Sequence, residues 1–152
     1  MLTLSAQAMT HSFYDFSIHN EAHRFEFDSV GDRIIHKVIV YEKLPFPNTY
    51  NLALGDIDEQ GKADFEIISD NGDRDYVLAT VIQTLIAFFQ RNPRASVFIS
   101  GSTPSRTRLY QVVIARELAE IQKRFDVYGV TEVRNEPFQK GALYQAFVIS
   151  LK

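Results

Sequence analysis

Cysteine is absent from all 152 residues. That excludes disulfides, thiolate nucleophiles and cysteine-ligated zinc, and it fits a reducing compartment. An excess of positive charge is also missing. The chain has 16 Lys and Arg against 19 Asp and Glu, a net charge of −3, so no broadly basic, sequence-indifferent nucleic-acid surface is expected. A local basic site remains compatible with that balance. No run of about 18 apolar residues is present; the most apolar stretch, Tyr76–Phe89, is shorter and contains Gln83. The N-terminal MLTLSAQAMTHS has neither the basic region nor the apolar core of a signal peptide. These absences predict a cytoplasmic protein without membrane association. The four histidines, His11, His19, His23 and His36, all fall in the first quarter. None shares a metal-ligand spacing with another on one element, and no Ser/His/Asp triad can be read; His19 and His23, near a turn, are expected to be solvated, and His36, in a central strand, to be a hydrogen-bonded residue at the core edge.

Against these absences stand a 45% hydrophobic fraction, with 12 Phe and 7 Tyr that predict an aromatic core. The length fits one domain, expected over residues 11–152, with residues 1–10 as a loose arm. Alternation predicts strands at Phe13–Ile18 and around Phe25 and Phe27. Ile34–Tyr41 is β-branched on both faces and reads as a central strand, ended by the prolines of Leu44-Pro-Phe-Pro-Asn48. Tyr50–Leu54 and Phe65–Ile67 read as a hairpin around a polar loop. In Tyr76–Arg91, Val77, Leu78, Val81, Ile82, Leu85, Ile86 and Phe89 recur at helical spacing, and Asn92-Pro93 ends the helix. Ala95–Ser100 is a short strand. A second helix is expected from about Pro104 to Arg124, with Leu109, Tyr110, Val112, Val113 and Ile114 pointing nearly all round its first half. Either that half is buried on two sides or one side awaits a partner. Val127–Val133 and Leu143–Leu151 are the final strands. The expectation is therefore an α+β fold: a largely antiparallel sheet, two helices packed on one face, and a parallel pair through a crossover.

Four blocks stand out: Tyr50-Asn-Leu-Ala-Leu-Gly-Asp56, Ile68-Ser-Asp-Asn-Gly-Asp-Arg-Asp75, Gly101-Ser-Thr-Pro-Ser-Arg-Thr-Arg-Leu-Tyr-Gln111, and Phe138-Gln-Lys-Gly141 with Tyr144-Gln-Ala-Phe147. Together they resemble a family of small bacterial proteins built on a domain of unknown function. The resemblance runs from about Phe13 to the end of the sequence and implies a single cytoplasmic domain, with no activity to transfer.

The first candidate site is the strand–loop–helix junction at Gly101, Ser102, Thr103, Ser105, Arg106 and Arg108. A helix start offers free N–H groups and the positive end of the dipole, which suit an anion. Ser102 or Thr103 also suits an N-cap, and Pro104 the first helical position, so capping alone accounts for those residues. The arginines are different: two cations near a helix N-terminus cost about 0.3–1 kcal/mol each unless an anion neutralises them. That anion is either a ligand or an internal carboxylate such as Asp56, Asp70 or Asp73. The Gly-Lys-Ser/Thr ending of a P-loop is absent.

Asp56-Ile-Asp58-Glu-Gln60-Gly61-Lys62-Ala-Asp64 matches the start of a calcium loop, but its twelfth position is Ile67 where a bidentate Glu is required. A polar hairpin loop explains it. Asp56, Asp70 and Asp73 could instead hold a divalent metal for phosphodiester hydrolysis, although turns and caps also favour Asp. Arg134, Phe138, Lys140 and Tyr144 are candidates for a cleft wall. The leading expectation is a domain without a visible catalytic group, metal site or cofactor, binding an anionic small molecule or an acidic protein segment at Gly101–Arg108. Nucleic acid is a weaker partner. The alternatives are a metal-dependent phosphodiesterase and a homodimeric module using the first half of the second helix.

Overall fold

The computed structural model describes residues 12–66 and 69–152. The expected arm over residues 1–10 lies outside them. Ser17–His19 (β1), Arg24–Val30 (β2), Ile34–Lys43 (β3) and Thr49–Ile57 (β4) form an antiparallel meander. Register places Phe25, Ile39 and Leu54 in one cross-strand row and Phe27, Lys37 and Asp56 in the next, all on the same face. Ala63–Asp64 (β5) pairs with the end of β4. Arg74–Arg91 (α1) then carries the chain to Ser96–Ile99 (β6), which is parallel to β4. Pro104–Arg116 (α2) and the short Leu118–Ile121 (α3) lead to Phe125–Val130 (β7), Asn135–Pro137 (β8) and Ala146–Leu151 (β9). The nine-stranded sheet has the order β1-β2-β3-β4-β6-β9-β7-β8, with β5 off this path.

Every residue from Val77 to Phe89 is buried, so α1 is the spine of the core. Its two sides have different partners. One meets the sheet, where Phe88 stacks on Tyr41 at 4.2 Å between ring centroids. The other meets α2, whose Tyr110, Val113 and Ile114 are buried in the same cluster. Aromatic pairs of this kind contribute about 0.5–1.5 kcal/mol beyond the area they remove from water. The Tyr41 hydroxyl is buried but bonded to Thr84 of α1 at 2.9 Å, which removes the penalty of an unpaired group.

The α+β class and the parallel pair match the expectation, and several boundaries move. The first strand is Ser17–His19 rather than Phe13–Ile18, because the Tyr14 N–H leaves the sheet to donate to Thr80 of α1 at 2.9 Å. The hairpin after β4 pairs only two residues on its return strand, and Ile67 lies outside the described residues. A Cβ at Gly55 would come within 2.6 Å of the Asp64 carbonyl, so that crossing requires glycine. The second helix is not continuous to Arg124; it breaks at Glu117, which is itself buried, giving three α-helices among the described residues rather than two. The closing strands are shorter than expected, and β8 adds a third.

Candidate functional site

At the end of β6 the chain turns into α2 through Ser100–Thr103. A Cβ on Gly101 would lie 2.4 Å from the Thr107 amide nitrogen and 2.6 Å from Arg106 Cβ, so the loop can press against the first helical turn only with glycine there. The Gly101 N–H donates to Thr107 Oγ1 at 2.9 Å, and that hydroxyl donates to the Thr103 carbonyl at 3.2 Å. Thr103 is the N-cap, accepting the Arg106 N–H at 3.2 Å, and Pro104 follows it. Gly101, Thr103 and Thr107 thus close the junction on itself.

The two arginines part company. Arg106 is half-buried; its Nη1 donates to Ser102 Oγ at 3.4 Å, and it hydrogen-bonds the Tyr110 hydroxyl. Burial pushes the Tyr110 hydroxyl pKa up, and the neighbouring guanidinium acts in the opposite direction. Arg108 is exposed and has no carboxylate partner among the described residues. Ser102 and Ser105 are exposed too, and the Ser105 N–H has no acceptor among the described residues. No acidic residue sits in the first turn of α2. Along its outer side the helix presents Leu109 and Val112, 36% and 53% exposed. Leu143, 77% exposed, follows Ala142, whose carbonyl accepts a hydrogen bond from Gln111 of α2. The six predicted residues therefore share one junction, with Gly101, Thr103 and Arg106 facing inward contacts and Ser102, Ser105 and Arg108 facing water. Leu143 was missed, since sequence alone gives no reason to bring it beside α2.

The candidate carboxylates lie in separate hydrogen-bonded groups. Asp56 faces its register partner Lys37, which is 3% exposed, at 2.6 Å, and also accepts from the Ser69 hydroxyl. A buried pair like this costs about 3–5 kcal/mol to break from one side. Asp73 accepts from the hydroxyls of Tyr14, at 2.6 Å, and Ser29. Burial and the Asp73 carboxylate together raise the Tyr14 pKa. Asp70 Oδ1 accepts the Gly72 N–H at 3.4 Å. Asp58 accepts the N–H groups of Gln60 and Lys62 at 2.9 and 2.8 Å, the local turn bonding expected of a polar hairpin loop. Among the described residues no group of three or more His, Asp or Glu is placed to hold a metal.

Three other expectations change. His36 is exposed rather than at the core edge, with its two ring nitrogens 2.6 Å from Asp28 and 3.1 Å from Glu26. His23 is half-buried against Tyr50 and Phe88 rather than solvated. Phe138 and Tyr144 belong to the core instead of a cleft wall, because Gly129 has no Cβ to obstruct the Tyr144 ring.

Fold and site define an α+β domain built on a mixed sheet, with helices against one face and a partly open strand–loop–helix junction. Residues 10–152 match the family of unknown function DUF6934, and the chain belongs to that family. No curated protein and no solved structure matches it. Among the described residues, no helix is long and apolar enough to cross a membrane.

Proposed function

We propose that this is a binding domain whose partner is an acidic protein segment carrying apolar side chains, docked along the outer side of α2. The observation that carries the reading is the sequence of exposed groups Ser105, Arg108, Leu109 and Val112 on one helix start, with Arg108 unpaired among the described residues. A free phosphate is less well served. The Gly101 and Arg106 N–H groups already have side-chain acceptors, so little of the backbone cradle faces outward. An acidic segment needs no closed cradle. It can pair a carboxylate with Arg108 and cover Leu109, Val112 and Leu143. Removing an apolar side chain of that size from water contributes about 1.5–3 kcal/mol when burial is complete.

A peptide-display selection on the intact protein tests this reading, followed by amide chemical-shift mapping of the enriched peptides. Sequences that combine Asp or Glu with Leu, Ile or Phe should emerge. They should perturb residues 105–112 and Leu143, and lose at least tenfold in affinity for Arg108→Glu and for Val112→Asp. Enrichment without acidic residues, or shifts confined to another face, would reject it.

A further inference from the structure

A second polar surface lies at the other end of β6, before Ala95 rather than after Gly101. A groove of about 350 Å³ there has Asn48, Tyr50, Arg91, Asn92 and Arg94 in its lining, beside Pro93 and Ala95. No Asp or Glu lines it, and neither arginine has a carboxylate partner among the described residues. That arrangement is notable in a chain with net charge −3. The Tyr50 ring is fixed between His23, Phe88 and Lys43, with centroid distances of 5.4 and 5.1 Å to the two rings and 5.7 Å to Lys43 Nζ. Its hydroxyl has no hydrogen-bond partner among the described residues. Lys43 is held back from the groove by the carbonyls of Leu44 and Phe46, at 2.7 and 2.5 Å.

We infer that this groove binds a phosphomonoester group, with Arg91 and Arg94 as its charged arms and Tyr50 as a hydroxyl donor. Two arginines and a tyrosine lining one concavity offer a donor-rich, cationic set. A doubly charged oxyanion matches it by charge and geometry, since each guanidinium can present two parallel N–H donors. The C-terminus of α1 also points here, and its dipole carries about half a negative charge. Two full positive charges exceed that, and the Phe88 carbonyl is already taken by the N–H and side-chain amide of Asn92. The site is independent of the α2 surface, so either can fail without the other.

The test is a titration of the intact, isotopically labelled protein with inorganic phosphate and, separately, phenyl phosphate, following amide shifts. Saturable shifts confined to residues 48–50 and 91–95 are expected with both. Affinity should fall about tenfold for Arg91→Gln and again for Arg94→Gln, the loss typical of a charge-assisted hydrogen bond. Lys62→Gln, at an exposed cation outside both surfaces, should change nothing. Both arginines are exposed, so the variants should keep the parent spectrum elsewhere. Tighter binding of phenyl phosphate would support an organic phosphomonoester as the occupant; equal binding would support free phosphate. Shifts that never saturate, or undiminished binding by the double variant, would overturn the assignment.

Discussion

The loop at residues 69–73 and the loop at 100–103 both deliver the chain into a helix, and both are dense in polar side chains, yet their bonds go in opposite directions. Before α1, Asn71 is 2% exposed and acts as a bolt across the β2–β3 turn. Its Nδ2 donates to Ser29 Oγ at 2.9 Å and to the Arg33 carbonyl at 2.7 Å, and its Oδ1 accepts the Arg33 N–H at 2.9 Å. Asp73 caps nothing with its side chain, because Tyr14 and Ser29 occupy it. Before α2, the bonds remain within the junction, and Ser105 and Arg108 stay in water. Two stretches with similar composition thus differ in what a mutation should reveal. The first should register in stability, the second in binding.

The largest effect should come from Asn71→Ala. It strips the partners from buried backbone and hydroxyl groups and should cost about 3 kcal/mol, visible as a lower midpoint in urea unfolding. Survival of the full parent stability would erase the contrast between the loops. Thr103→Ala should cost about 1 kcal/mol, the usual worth of an N-cap, in the same measurement. Arg108→Glu should go the other way, raising stability by about 0.3–1 kcal/mol, because an anion replaces a cation beside the positive end of the helix. A loss of stability would mean that Arg108 has a structural partner and would weaken the binding proposal.

The smallest effect belongs to His36. Its hydrogen bond to Asp28, reinforced by Glu26, raises its pKa, while burial opposes the rise. A raised folded-state pKa means that the stabilisation is complete below the ordinary histidine value and is lost as pH climbs through the higher folded value. The pair is exposed, so the loss should stay below about 1 kcal/mol. Comparing melting temperatures across that window should show a decline in the parent and a flatter profile in His36→Gln.

The sequence made α1 legible because its apolar spacing is uninterrupted and Asn92-Pro93 stops it; the structure places it at Arg74–Arg91. β2 and β3 were legible from alternation and β-branching. The break at Glu117 was not, because Ile114, Leu118 and Ile121 continue the helical spacing straight through it. Nor was β8, whose Asn, Glu and Pro carry no strand pattern and pair only with the outer edge of β7. At the candidate site, composition identified the residues but not the division between them. The separation of Arg106 from Arg108 depends on Tyr110, one turn along the helix, and the groove at Arg91 and Arg94 was visible only as a helix stop.

The position of β9 has a consequence in time. Although it is the last strand in chain order, it lies inside the sheet, pairing with β6 through Val97 and Ile149 and with β7 through Val127 and Ile149. Until residues 146–151 are available, β6 and β7 each present an open edge to other chains, a template for mispairing. Joining the meander to the last three strands must therefore await a long-range closure, the slowest kind of contact for a chain to find. During synthesis, the helices and the meander can form early, but the sheet that unites them is completed by its final insertion.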